Sequence, residues 1–174
     1  RLNRERDLIG IYISGHPLDS YRIIVEDVCN MRMTQLEDKV AFANQDVFLG
    51  GIVTDVRMGQ TRTGKPYGIA KLEDYSGAGE IALFGEDWAK FSGYFHVGNS
   101  LFITARVEER QWQQGAYELK IGRIEFLSDV KDQKIKSITI NVATEKLTLE
   151  VVNELASIIR KSPGPTGLFF NILD

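Results

Sequence analysis

Cysteine occurs once in these 174 residues, at position 29, so no intramolecular disulfide can form. That excludes a disulfide-stapled secreted scaffold and points to a cytosolic setting. Beside Val28 and close to Met31 and Met33, the thiol reads as a buried structural residue rather than a nucleophile. Histidine occurs twice, at positions 16 and 96. Two histidines and one cysteine so widely spaced match no zinc pattern, and no metal or cofactor is expected. Neither sign of charge dominates, the formal net charge being −3. That argues against a chain devoted to tight non-specific nucleic-acid binding, so any DNA contact has to come from a local patch. Long apolar runs are missing too. None approaches the roughly 18 residues that a membrane-spanning helix needs, and no membrane partner is expected. The opening RLNRERDLIG lacks an initiating Met and an apolar stretch before a small-residue cleavage site. The close, LFFNILD, stops on a strand pattern, and the expectation is a piece of a longer protein.

What is present is alternation. From about Gln45 to Ser128, five strand-like runs are separated by turns: Asp46–Met58, Tyr67–Asp74, Ile81–Phe84, Ser100–Arg110 and Ala116–Leu127. A loop GQTRTGKP follows the first run, a tight turn YSGAGE the second, and QWQQG joins the last two. A short helical piece with an aromatic stripe, Glu86–Tyr94, stands between the third and fourth. Three strands, a helix and two strands in roughly 80 residues is the order of an OB-fold, a small Greek-key barrel that often binds oligonucleotides. The fold class is therefore mainly β with α+β flanks, built on a five-stranded OB-fold Greek-key barrel over residues 45–128. Gly50–Gly51, inside the first strand, marks a bulge or bend, which a strand shared by both halves of a small barrel needs. Trp88, Phe91, Tyr94 and Phe95 are expected to plug the barrel's end.

Residues 1–44 read as a helical connector. Leu8, Ile9, Tyr12 and Ile13 recur at helical spacing over Arg4–Tyr12, with Gly15 as its cap. Pro17 opens a second short helix through Leu18, Tyr21, Ile24 and Val25. His16, between them, reads as a residue bonding or packing in the turn. Residues 30–44 show little periodicity. Residues 129–136 read as a polar linker. Residues 137–174 form a truncated β-α-β unit: a strand at Ser137–Val142, an amphipathic helix at Leu147–Arg160 and a strand at Leu168–Leu173. The loop SPGPTG follows a helix and carries no Lys, so it reads as a plain connection rather than a phosphate cradle.

Candidate binding residues concentrate in one place. Between Val56 and Leu72 lie Arg57, Arg62, Lys65 and Lys71, with no acidic residue among them. In an OB-fold this stretch is the surface that takes single strands. Tyr67 shares a strand face with Lys71, placing a stacking ring beside a cation. Trp112, at the tip between strands four and five, has little apolar cover, and Arg110 stands next to it. Two uses stay open for these residues, a strand-binding face and a solvated basic hairpin. No nucleophile is paired with a base at recognisable spacing, so this stretch is expected to be non-catalytic.

ERDLIGIYISGHPLDSY (Glu5–Tyr21) resembles the E-x-x-x-L-G-x-Y-x-S-G-H-P-L segment of the bacterial replicative DNA polymerase III alpha subunit family. Gly50–Phe84 is similar to that family's barrel, and the β-α-β tail to the start of its C-terminal domain, so the resemblance covers essentially the whole chain. The barrel motif alone also resembles the anticodon-binding domains of class II aminoacyl-tRNA synthetases. The resemblance implies a DNA-directed DNA polymerase whose catalytic aspartates lie before residue 1. It also implies a barrel near single-stranded template and a C-terminal segment facing the tau subunit of the clamp loader, while the few cations of this chain predict that a strand is held weakly. The alternatives are a structural spacer or protein-interaction module between polymerase body and tail, and an anticodon-type tRNA-binding module.

Overall fold

Strand β1 (Asp46–Gln60) serves two partners. Its first half pairs antiparallel with β4 (Ser100–Glu109), from Asp46 opposite Arg106 to Ile52 opposite Ser100. Its second half pairs with β2 (Pro66–Asp74), ending with Gln60 opposite Pro66. Strands β3 (Gly77–Phe84) and β5 (Tyr117–Phe126) complete an antiparallel sheet of order β3-β2-β1-β4-β5. This is the OB-fold read from the sequence. Alternation dictates which side chains turn inward: Val47, Leu49 and Val53 of β1 meet Ala70 and Leu72 of β2 and Ile81 and Leu83 of β3 in one core. Leu101, Ile103, Ala105 and Val107 of β4 join them.

The structure describes residues 16–111, 113–134, 137–161, 163–164 and 166–173, so the expected helix at Arg4–Tyr12 and its Gly15 cap lie outside the described residues. The computed structural model places no bulge at Gly50–Gly51, both of which pair regularly with β4. The irregularity in β1 falls later, between Val53 and Asp55. The two glycines are places of close approach instead. A Cβ on Gly51 would stand 2.6 Å from Met33 Cε and 2.9 Å from the Glu73 carbonyl oxygen, and one on Gly50 would stand 3.0 Å from Cys29 Sγ.

Met33 and Cys29 belong to the connector, which is more than a tether. A continuous short helical segment runs from a 3-10 turn at Asp19–Tyr21 to a π-helical turn at Ile24–Val28. It buries Leu18, Ile24 and Val25. Two 3-10 turns follow, Met33–Leu36 and Lys39–Phe42. Met31, Met33 and Leu36 are fully buried in the barrel core itself. Among the described residues no ladder joins β3 to β5, and these two turns pack against those edge strands, the first on β3 and the second on β5. Backbone bonds fix the arrangement. Asn30 and Met31 donate their N–H groups to the Phe48 carbonyl, and the Asn30 Oδ1 accepts the Phe48 N–H at 2.7 Å. Cys29 is buried beneath this layer, and burial pushes its thiol up to about 12, so it is held protonated.

Helix α1 (Gly85–Phe91) and the 3-10 turn Ser92–Tyr94 close the end of the barrel. Trp88, Phe91 and Phe95 are buried in the core, and Tyr94 packs half-buried against it. Residues 127–134, expected to begin as strand and pass into a linker, form helix α2 (Leu127–Lys134), which buries Leu127 and Val130.

The chain divides into two compact units between residues 130 and 131. In the second, β6 (Ser137–Ala143) and β7 (Gly167–Leu173) pair in parallel, from Ser137 opposite Gly167 to Ala143 opposite Leu173. Helix α3 (Leu149–Lys161) connects them, its first turn bonded where the Thr148 hydroxyl accepts the Val151 N–H. Ile158, Phe169, Phe170 and Ile172 are all exposed. No helix among the described residues is long and apolar enough to cross a membrane.

Asp74 ties the connector to the barrel. It is buried, its Oδ2 accepts the Met33 N–H at 2.9 Å, and its Oδ1 accepts the Ser76 N–H and hydroxyl at 2.8 and 2.6 Å. Asp74→Ala leaves the buried Met33 N–H without its acceptor and is expected to cost about 2–3 kcal/mol. Urea unfolding measures this, and a loss well under 1 kcal/mol would contradict the assignment. His16 supplies a pH signature. Its Nδ1 accepts the Leu18 N–H at 3.2 Å and its ring lies 4.6 Å from that of Tyr75. Burial lowers its pKa below the usual value, with Asp19, Glu73 and Asp74 pulling the other way. The unfolded chain therefore binds the proton more readily, so stability falls as pH drops below about 6.5 and through the lowered folded value. His16→Asn should lack that loss between pH 7.5 and 5.5. Equal losses in parent and variant would assign it to carboxylates.

Candidate nucleic-acid interface

The outward-facing side chains of β1, β2 and β3 fall into three cross-strand rows. Gly59, Tyr67 and Phe84 make the first, Arg57, Ile69 and Ala82 the second, and Asp55, Lys71 and Glu80 the third. The first row is aromatic. Tyr67 lies against Gly59, where a Cβ would stand 2.9 Å from its ring, and tilts toward Phe84 at a centroid distance of 5.8 Å. Tyr67 is half-buried, whereas Phe84 is 55% exposed. Phe84 is a residue that sequence reasoning passed over as the end of an apolar run. The signal was parity: Ile81 and Leu83 turn inward, so Ala82 and Phe84 must turn out.

The cations divide into two groups. Arg57 pairs with Glu80, and its Nε lies 3.8 Å from Asp55. Lys71 stands between Asp55 and Glu80 in the ladder. Arg62 and Lys65 differ in lying exposed on the β1–β2 loop, outside the ladder and its carboxylates; like Lys71, they are in no ion pair among the described residues. The loop itself is well tied. Thr61 donates its N–H to the Lys65 carbonyl at 2.8 Å, its Oγ1 accepts the Lys65 N–H at 3.1 Å, and Gly64 takes the positive φ of +77° that the turn requires. The Lys65 stem passes beside Gly85, next in sequence to Phe84. Two exposed cations on a bonded hairpin thus adjoin an exposed ring, an arrangement that can hold phosphates and stack a base.

Five of the seven residues singled out from sequence therefore meet on one face and its loop: Arg57, Arg62, Lys65, Tyr67 and Lys71. Arg110 sits apart, at the end of β4, with its Nε 3.5 Å from Glu118. Trp112 lies outside the described residues. Lys39 of the connector is close enough to Arg110 to be affected by its charge. Burial foremost, then Arg110, lowers the Lys39 pKa. On another side of β1, Val56, Met58, Trp88, Phe95, His96 and Val97 border an open apolar groove of about 390 Å³, lined by no Lys or Arg. No cluster of three or more His, Cys, Asp or Glu able to hold a metal occurs among the described residues.

Residues 47–127 match the family model described as OB-fold nucleic acid binding domain, and residues 138–174 that of the DNA polymerase III alpha subunit, C-terminal domain. The first unit is thus an OB-fold domain of the nucleic-acid-binding class. Among curated proteins, the chain is similar to the DNA polymerase III subunits alpha of Borreliella burgdorferi, at 26% identity over 98% of the chain, and of Pasteurella multocida and Bacillus subtilis, each at 25% over 95%. Over nearly its whole length the chain is similar to DNA polymerase III alpha subunits. It spans 14–15% of the length of these relatives.

Proposed function

We propose that this OB-fold domain binds single-stranded DNA weakly and without strong sequence preference, as a part of a replicative DNA polymerase III alpha subunit. The carrying observation is the Tyr67–Phe84 aromatic row beside the unpaired loop cations Arg62 and Lys65. Rings stack any base, and two cations on phosphates give a modest electrostatic share. Weakness follows, because Arg57 is already engaged by acids and the chain is net negative. Polymerase chemistry belongs, on this proposal, to the part of such a subunit outside this chain. Residues 138–174 would face the tau subunit of the clamp loader, as the family resemblance implies.

A structural spacer is the rival with an observation behind it, since the middle of the face is charge-neutralised. Fluorescence anisotropy of the 174-residue chain with labelled oligo-dT separates the two. Phe84→Ala should weaken binding about five-fold or more with the salt slope unchanged, because a stacking contact is worth roughly 1–3 kcal/mol per base. Arg62→Ala with Lys65→Ala should flatten the slope by about 1.4, at roughly 0.7 per phosphate contact on single strands. No binding by the parent, or parent-like binding by both variants, would favour the spacer.

A further inference from the structure

We propose that Asp55 and Glu80 set the preference of this face for unpaired strand over duplex, by holding its two framework cations off phosphate. The inference rests on the nucleic-acid function proposed above and concerns the acids rather than the contacts. Register makes the case. Lys71 has Asp55 directly opposite on β1 and Glu80 directly opposite on β3, and directly opposed residues have Cβ atoms about 5 Å apart. Arg57, one row away, bonds Glu80 and lies 3.8 Å from Asp55. Of the two cations on this face, Arg57 is thus engaged by both carboxylates, and Lys71, in no ion pair among the described residues, stands between the same two in the ladder. All four side chains are on the solvent face, where a neutral set contributes little to stability. Its consequence falls on whatever approaches.

Duplex DNA presents phosphates and hides its base faces, whereas an unpaired strand presents both. Carboxylates beside Arg57 and Lys71 compete with phosphate for these cations, so fewer condensed counterions are released from the strand, and they repel the phosphate as it arrives. The aromatic row, by contrast, is untouched by this pairing: Tyr67 contacts Gly59 and Phe84, and neither is charged. Backbone-driven attraction is thus held down to the two loop cations while stacking is left intact. The selectivity comes from what the acids remove.

The test is the Asp55→Asn, Glu80→Gln double variant of the 174-residue chain, titrated against labelled oligo-dT and a duplex of equal length across a salt series. With two loop cations acting, the parent's salt slope on single strand should be about 1.4. Freeing Arg57 and Lys71 should carry it toward about 2.8 and tighten duplex binding more than strand binding, so that the strand-to-duplex ratio falls at least about three-fold. A Glu26→Gln, Asp27→Asn pair makes the same net-charge change on the N-terminal helical segment and should leave slope and ratio near the parent's. An unchanged slope and ratio in the double variant, with Phe84→Ala still weakening the parent, would overturn the role of the acids alone. Equal steepening by the Glu26/Asp27 pair would do the same, since it would make the effect one of net charge. If the parent binds no strand, or both Phe84→Ala and the Arg62→Ala, Lys65→Ala variant bind as the parent does, the proposed function falls and this inference with it.

Discussion

Strand β1 cannot satisfy its backbone with one neighbour. Its first half gives its bonds to β4 on one edge and its second half to β2 on the other, so each half leaves an edge open. Much else in the first unit answers that constraint. The Phe48 N–H and carbonyl, without a strand beside them, are bonded by Asn30 and Met31. Once drawn in, the connector brings Met31, Met33 and Leu36 into the core, and Asp74 fastens its backbone from the far end of β2. Gly51 keeps no side chain because Met33 occupies that space. The hand-over at Ile52 also orients the second half of β1, whose outer face carries Arg57, Asp55 and the Gly59 floor beneath Tyr67.

The β1–β2–β3 face is ordered by distance from the loop. Nearest it are rings, farthest from it a row of acid, base and acid, and between them Ile69 and Ala82 with Arg57, which reaches across and balances that row's charge. Affinity in such a surface comes mainly from stacking and two loop cations. On the function proposed above, the modest electrostatics of this face suit a contact that is easily broken.

Much of this was legible in the chain. Apolar alternation in Leu101–Val107, and Asp-Tyr-Ser-Gly at the β2–β3 turn, placed strands and turns close to where they lie, because both signals are local. The OB-fold order followed from their succession. The connector's role was not legible. Met31, Met33 and Leu36 keep no single spacing, two residues and then three, and they are buried by where the 3-10 turn and the residues before it dock. The bulge was misplaced because Gly50–Gly51 carries a bend signal that in fact served close packing, while Thr54, at the irregularity itself, has no such mark. The ion pairs of Arg57 and the carboxylates opposite Lys71 were hidden for a related reason. No acid lies between Val56 and Leu72 in the chain, yet register brings Glu80 across from β3 and Asp55 along β1. Sequence distance concealed what the sheet made adjacent.

The central claim is that the face bearing Tyr67 and Phe84, with the loop at Thr61–Lys65, is where an unpaired strand lies. Backbone amide NMR of the 174-residue chain during titration with oligo-dT tests it most directly. Shifts concentrated at residues 59–69 and 82–85, with little change at Leu101–Val107 or around Trp88–Val97, are the predicted result. Shifts centred instead on the apolar groove of Val56, Met58, Phe95 and Val97, or none at saturating oligonucleotide, would contradict it.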